Sequence, residues 1–393
     1  MKKRFSFVSM MTAAVIFGLT ACGGAAGQAP QGTTATGPQS GAAAGQGAAT
    51  EQDGAEAQGA AGSQGTAADG QEAEKAGAGA AAEGAKDQAP AGETLYKWKL
   101  GSVDSTTNPN YKAFQHLGEL LNEKAPGRWE ITIYPDSQLG DGGQQVESVQ
   151  MGNLELAAPN CSLVANYVPD YGVFDMPYLF ANEEEVDKVL DGAIGEELAA
   201  KAESANMKML GWWEVGFRCL ANDKCAVDSP ADVKGLRIRV MSNEQHQAIW
   251  SSLGADPVPM SLSDAYVANQ NGTIDGQENP LHSLVANSTY EVCHYIAVTN
   301  HVYSPMCMIM SNKAWVSMTE EDQQIFMGCL KEAEAYQKEL VREQKAKAEQ
   351  ELKDKGCEIS YPDIQLFADQ VQSVYDAYPQ FSDMVERIHE AVR

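Results

Sequence analysis

Apolar and polar side chains alternate along Leu95–Val103 and again along Trp129–Tyr134, the period of two that marks a strand with one face turned inward. Between them, Tyr111–Leu121 spaces its apolar residues three and four apart, which predicts a helix. The succession continues with a helix over Gln144–Met151, a strand at Leu154–Ala158, two short helices around Glu183–Leu190 and Gly195–Ala205, and an apolar strand at Met207–Trp213. A second round follows a short Val215-Gly216 joint: strands Phe217–Ala221 and Leu236–Met241, helices Asn243–Leu253 and Asp264–Gln270, and strand Val292–Thr299. Strands interleaved with helices of about ten residues predict α/β domains with largely parallel sheets, and two such rounds predict two lobes.

One helix is set apart by its length. Thr319 and Asp322 have capping-box spacing, and Ile325, Cys329, Ala333, Tyr336 and Leu340 then recur at three or four. Nothing interrupts the pattern before Gly356. About 37 residues at ~1.5 Å each make roughly 55 Å, longer than one small domain is wide. Two arrangements fit: a helix lying on one lobe with a charged, frayed end, or a strut that crosses both.

Before Thr94 no such pattern exists. Lys2, Lys3 and Arg4 precede an apolar run from about Phe5 to Leu19. That run is short of the ~20 residues a membrane span needs, and it reads as a signal peptide. It ends in Leu19-Thr20-Ala21-Cys22, which resembles a bacterial lipobox and implies a diacylglyceryl group on the thiol of Cys22. Residues 23–93 hold Gly, Ala, Gln, Thr and acids, without an aromatic or large aliphatic side chain. Such a stretch cannot bury enough apolar surface to offset its ordering entropy, so the expectation is a disordered tether with an r.m.s. reach near ~45 Å. Residues 1–22 are thus expected to be a leader, and the folded part to sit outside the cell membrane, held to it by lipid.

The chain carries a net charge of −26. Setting aside the leader's three cations and the tether's nine acids and two lysines leaves −22 on the folded part. A charge of that sign and size argues against nucleic acid or anionic lipid as partners. Seven cysteines follow Cys22, with no CxxC and no histidine at zinc-finger spacing. Cys219 and Cys225 are close enough in sequence for a local disulfide, but buried free thiols are the plainer reading. The six histidines show no HExxH pattern, no G-x-S-x-G elbow occurs, and Gly140, Gly142 and Gly143 lack the spacing of a nucleotide-phosphate loop. Neither a metal nor a cofactor is expected, and no catalytic set emerges.

Arginine stands where arginine is costly. In VKGLRIRV, Ile238 and Val240 face one side of a strand and Arg237 and Arg239 the other. Arg237 is expected to face water. Arg239, at the strand's carboxyl end, is expected in a cleft, because open α/β sheets bind ligands there and a buried guanidinium needs an anion.

At this point a family resemblance can be named. Leu236–Leu281, with GADPVPM and DGQENP inside it, resembles the signature region of the solute-binding proteins of tripartite ATP-independent periplasmic (TRAP) transporters, the DctP family. YPDSQLGD (Tyr134–Asp141), FDMPYLF (Phe174–Phe180) and VGFRCLAND (Val215–Asp223) extend the similarity over essentially all of Leu95–Arg393. The resemblance implies a two-lobed periplasmic-binding-protein-like fold of type II, with the long helix spanning both lobes. Residues 94–215 and 305–344 would form lobe I, and residues 216–304 and 345–393 lobe II. It also implies a receptor that binds a small organic acid between the lobes and delivers it to integral-membrane TRAP subunits, without enzymatic turnover.

Carried over by position, the resemblance makes Arg239 the arginine that grips the ligand carboxylate, Arg218 a second arginine of the site, and Asn279 a donor to the same carboxylate. Asn160 falls where members vary with ligand, and Trp213 and Glu214 fall where relatives line the cleft. The chain departs from the pattern at Leu262, where many relatives carry an aromatic, and at Val215, where asparagine is frequent. Asn160 stands where the sialic-acid-binding branch has glutamate, which argues against that ligand. A C4-dicarboxylate, a sugar acid or another small hydroxy- or keto-acid all suit two arginines and an asparagine. A solute-binding lipoprotein of an ATP-driven importer and an exported lipoprotein enzyme are the alternatives. Ser261 and Asp264 have capping-box spacing, so a helix N-terminus is expected at the cleft as well.

Overall fold

The computed structural model describes residues 96–393; the expected leader, the expected lipid site Cys22 and the expected tether of residues 23–93 lie outside the described residues. From the start of that range the chain runs through β1 (Tyr96–Gly101), α1 (Pro109–Lys124), β2 (Trp129–Tyr134), α2 (Gly142–Gln150), β3 (Leu156–Ala157), α3 (Cys161–Val164), α4 (Glu183–Leu190), α5 (Ala193–Ala200) and β4 (Met207–Phe217). It then enters a second lobe through β5 (Cys219–Asn222), β6 (Arg237–Val240), α6 (Glu244–Ser252), β7 (Asp256–Pro259), α7 (Leu262–Gln270), β8 (Gly276–Asn279), α8 (Leu281–Ala286) and β9 (Tyr295–Ala297). It returns through β10 (Tyr303–Ser311), α9 (Asn312–Ser317) and the long helix α10 (Glu320–Asp354), and adds β11 (Glu358–Ser360) before three C-terminal helices.

Two sheets result, ordered β2-β1-β3-β10-β4 and β11-β9-β5-β8-β6-β7. Each is mixed where a largely parallel sheet was expected. In the first sheet β10 runs antiparallel to β3 and β4, and in the second β5 runs antiparallel to β8 and β9. The two reversed strands are the ones that follow each crossing between lobes. The expected joint at Val215-Gly216 is also displaced: β4 runs on to Phe217, Gly216 pairs with Ser304, and Arg218 is the residue between β4 and β5. Gly216 lies inside the strand at φ +110°, a conformation glycine adopts without steric cost.

Burial explains which elements hold. Leu100, Phe114, Leu117, Trp213, Met308 and Phe326 pack into one core on the first sheet, and a fully buried side chain of this kind contributes about 1.5–3 kcal/mol. The Thr319 hydroxyl caps α10 by accepting from Asp322 N at 3.1 Å, as the spacing predicts. The helix is 35 residues long, about 52 Å at 1.5 Å per residue. Its first half enters the first-sheet core through Phe326, Cys329, Leu330 and Ala333, and its last turns enter the second lobe through Ala348 and Leu352. It is the strut of the two arrangements considered. Its buried stripe differs from the expected one, because Tyr336 is exposed and Gln337 is buried in its place. Gln337 Nε2 donates to Asn110 Oδ1 and to the Glu214 carbonyl, each at 2.6 Å, and Gln337 Oε1 accepts from Glu214 N at 3.0 Å.

The C-terminal segment is not confined to the second lobe. Arg387 pairs with Glu197 of α5, and the Tyr375 hydroxyl donates to Pro177 O at 2.8 Å. All seven cysteines in the described range are free thiols, so Cys219 and Cys225 do not pair, and every one but Cys225 is buried. Among the described residues no helix is long and apolar enough to cross a membrane.

Candidate functional site

The carboxyl ends of six strands converge on one cavity. Asp104 follows β1, Asp141 follows β2 and Asn160 follows β3 from the first lobe. Arg239 on β6, Ser261 after β7 and Asn279 at the end of β8 come from the second. The cavity has a volume of about 140 Å3, near the ~150 Å3 that accommodates a benzene-sized molecule. Strand ends of open α/β sheets are where ligands bind, because the loops there are free to carry side chains chosen for chemistry.

Arg239 is the site's outstanding charge. Ile238 and Val240 are fully buried on one face of β6, and Arg239 is 3% exposed on the other. Its Nε and Nη2 donate to the carbonyl of Met260 at 3.0 and 2.8 Å, and it makes no ion pair among the described residues. Burial lowers its pKa to about 10, with Glu278 opposing and Arg218 adding to the shift, so the guanidinium is still charged at neutral pH. Arg237, as expected, reaches the surface, where it pairs with Asp275.

Arg218 also lines the cavity but is already matched. Its Nε donates to Glu278 Oε2, and its Nη2 donates to Glu278 Oε1 at 2.9 Å and to the Glu278 carbonyl at 2.6 Å. Burial on its own would raise the Glu278 carboxyl, but Arg218, with His301 and His246, holds it well below the usual range. Glu278 was not singled out in the sequence, although it stands inside the DGQENP motif. The only available signal was an acid within a strand buried at every position.

Behind Glu278 a buried polar chain joins the lobes. His246 on α6 sits with Nε2 3.2 Å from Asp175 Oδ1 and Nδ1 3.7 Å from Glu278 Oε1. Asp175 also accepts from Ser162 Oγ at 2.5 Å and Asn243 Nδ2 at 3.1 Å. Ser162 is tied to Asn160, whose Oδ1 accepts from Ser162 N at 3.2 Å and so caps α3. Capping uses the acceptor of Asn160, and its amide donor has no partner among the described residues. Asn279 makes no side-chain hydrogen bond there either and is 6% exposed. Three sets of donors, from Arg239, Asn279 and Asn160, therefore face the same space.

The remaining expectations divide. Trp213 does not line the cavity; it is fully buried and stacks on Phe114 at 5.4 Å. Glu214 does not line it either: its Oε2 accepts from Arg342 Nε at 2.9 Å on the α10 side. The register between β4 and β10 shifts between Ser304 and Pro305, opposite Val215. Val215, and neither Trp213 nor Glu214, is on the cavity wall. Leu262 does line it, with Tyr167 the one aromatic ring present. Ser261 caps α7 by accepting from Asp264 N at 3.3 Å, which brings a helix N-terminus to the cavity as the sequence suggested. The lobes touch around it: Asn166 Nδ2 donates to Ser242 O at 3.0 Å, and Ser105 Oγ and Thr107 Oγ1 donate to Ala286 O at 3.3 and 3.2 Å.

Comparison with known proteins shows the family and the fold. Residues 100–380 match the family model described as bacterial extracellular solute-binding protein, family 7 (DctP). The 2,3-diketo-L-gulonate-binding periplasmic protein YiaO of Escherichia coli is 30% identical over 298 residues, covering 74% of this chain and 91% of that protein. A TRAP periplasmic solute-binding protein from Polaromonas sp. JS666, solved with D-erythronate, superposes with a TM-score of 0.73 at 29% identity, covering 76% of this chain and 98% of that one. Another from Haemophilus influenzae, solved with L-gulonate, gives 0.72 at 30% identity, covering 75% and 99%. The chain belongs to the DctP family of bacterial extracellular solute-binding proteins, the receptors of TRAP transporters.

Proposed function

We propose that this protein is an extracytoplasmic receptor that closes its two lobes on a small organic carboxylate and hands it to the integral-membrane subunits of a TRAP transporter. One observation carries the reading: Arg239 is a buried, charged guanidinium whose partner is a backbone carbonyl. A buried charge without a counter-ion is strongly penalised, and a ligand carboxylate supplies the missing anion. A planar guanidinium meets a carboxylate with two parallel bonds, and such a charge-assisted contact contributes roughly 1.5–3 kcal/mol where water is excluded.

The other roles follow from position. Asn279 donates to the same carboxylate from the second lobe, and Asn160 contacts the ligand from the first. Arg218, engaged by Glu278, shapes the wall and adds positive potential. Trp213 and Glu214 support that wall from behind and are outside the ligand set. Contacts drawn from both lobes give the closed form the differential affinity that closure requires. Arg218 is the crossing into the second lobe, and the return falls between Ala297 and Tyr303. Cys22 carries the lipid, and residues 23–93 give the receptor its reach from the membrane. The protein acts by binding and release, with no turnover of its ligand.

The relatives' ligands named above are all small organic acids, which places the same class first for testing. Mass spectrometry of the acid that co-purifies, followed by a thermal-shift screen of organic acids, is the experiment. A ligand at 100 times its Kd stabilises the protein by about 2.7 kcal/mol. Absence of any acid ligand, or chemical conversion of the acid that binds, contradicts the proposal.

A further inference from the structure

We infer that the ligand is a hydroxylated monocarboxylate and that Asp104 and Asp141 exclude dicarboxylates; this rests on the reading that Arg239 holds the ligand's carboxyl end. The two walls of the cavity differ in charge. The second lobe presents Arg239, Asn279 and the N-terminus of α7, all suited to an anion. The first lobe presents two carboxylates, Asp104 and Asp141, and neither makes an ion pair among the described residues.

Both carboxylates are held in place with acceptor capacity to spare. Asp104 Oδ1 accepts from Asn108 Nδ2 at 3.2 Å, and Oδ2 accepts from Asn110 Nδ2 at 2.8 Å. Asn110 is fixed in turn by Gln337 of α10. Asp141 Oδ1 accepts from Gln144 N at 2.9 Å, completing a capping box at the start of α2. Each carboxylate oxygen has more than one lone pair, so each aspartate retains sites for further donors. Burial pushes the Asp104 carboxyl up, Asn110 opposes this, and Asp136 adds to it. A further donor from the ligand relieves that cost, and a second ligand carboxylate aggravates it.

With one end at Arg239, a dicarboxylate turns its other end towards the first-lobe wall that carries the two aspartates. Like charges set together cost several kilocalories, enough to reverse a preference. Hydroxyl groups fit the vacant lone pairs. An ammonium group is the other donor chemistry, but both carboxylates are already partly compensated, one by two amides and one by a helix N-terminus. Neutral hydroxyl donors match what is left.

Titration calorimetry on the full chain tests this with four probes: D-erythronate and L-gulonate, then succinate, then a zwitterionic amino acid, L-serine. The hydroxylated acids should bind at least about a hundredfold more tightly than succinate or L-serine. Asp104→Asn should weaken the hydroxylated acids about tenfold and strengthen succinate, narrowing the gap. Succinate or L-serine binding as tightly as the hydroxylated acids, with affinity still lost in Arg239→Ala, would overturn this inference and leave the carboxylate receptor standing. Binding of none of the four would overturn this inference, and the carboxylate receptor falls with it only if the wider screen of organic acids also finds no ligand.

Discussion

Arg218 and Glu278 are bound to each other so completely that Arg239 is left as the cavity's one arginine without an ion pair among the described residues. Nη2 of Arg218 reaches Glu278 Oε1 at 2.9 Å while Nε takes Oε2, and both residues are essentially fully buried. The resemblance makes Arg239 the gripping arginine and Arg218 a second one of the site; the structure pairs Arg218 with Glu278 and leaves Arg239 without an ion pair among the described residues. Removal of one partner from a buried ion pair costs about 3–5 kcal/mol, because the survivor has no counter-charge. Glu278→Gln is therefore expected to lower unfolding stability in urea by that amount. Joint replacement of Arg218 and Glu278 by methionine should cost much less than the sum of the single changes. A loss under about 1 kcal/mol in Glu278→Gln would mean that the pair is not structural.

His282 makes stability depend on pH. It is 4% exposed, and burial, with Lys345 nearby, lowers its pKa from an ordinary 6.5 to about 4. Between those values the unfolded chain binds a proton that the folded chain refuses. The stability this neutral histidine contributes is therefore present above pH 6.5 and lost as pH falls towards 4, by roughly 3 kcal/mol in all. His282→Gln should flatten that part of the stability profile. An unchanged slope between pH 6.5 and 4 would refute the assignment.

If the lobes close on the ligand as proposed, they part for it to enter. Opening breaks the contacts from Asn166 to Ser242 O and from Ser105 and Thr107 to Ala286 O. With spin labels on exposed positions of each lobe, Glu130 and Asp256, the distance distribution should be broad and long without ligand, and short and narrow at saturation. The same distribution in both conditions would mean that the protein does not close.

The proposed anchor has its own test. Cys22→Ser should abolish labelling by radioactive palmitate and release the protein from the membrane fraction, with ligand affinity unchanged. Continued labelling would show that Cys22 is not the lipid site.

How much of this was legible in the sequence depended on whether burial left a period. Alternation exposed β6, and with it Arg239, because Ile238 and Val240 are buried and Arg237 is not. The same rule failed for β10, Tyr303–Ser311, which is buried at every position and so has no polar face to alternate with. It failed for β8, whose residues Gly276–Asn279 are polar yet buried, and for β7, where two prolines read as a loop. Glu278 escaped notice because its meaning lies in a partner 60 residues away. Trp213 and Glu214 were misplaced because only Val215 of this stretch reaches the cavity, while Trp213 packs on Phe114 and Glu214 pairs with Arg342, and neighbours in sequence do not reveal those distant partners. Asp104 carried no motif, and only the convergence of β1, β2 and β3 brings it to the cavity that Arg239 also lines.

The central claim is that Arg239 anchors the carboxylate, and calorimetry on Arg239→Ala and Arg239→Lys tests it most directly. Truncating one partner of a desolvated, charge-assisted contact costs about 2–5 kcal/mol, or roughly 30-fold or more in Kd. Lysine keeps the charge but loses the planar fork, so it should not restore affinity. At least a roughly 30-fold loss is expected in both variants, with stability retained, since the residue's one partner among the described residues is the Met260 carbonyl. An alanine variant that binds the ligand within about threefold of the parent, a difference of under 1 kcal/mol, would contradict it.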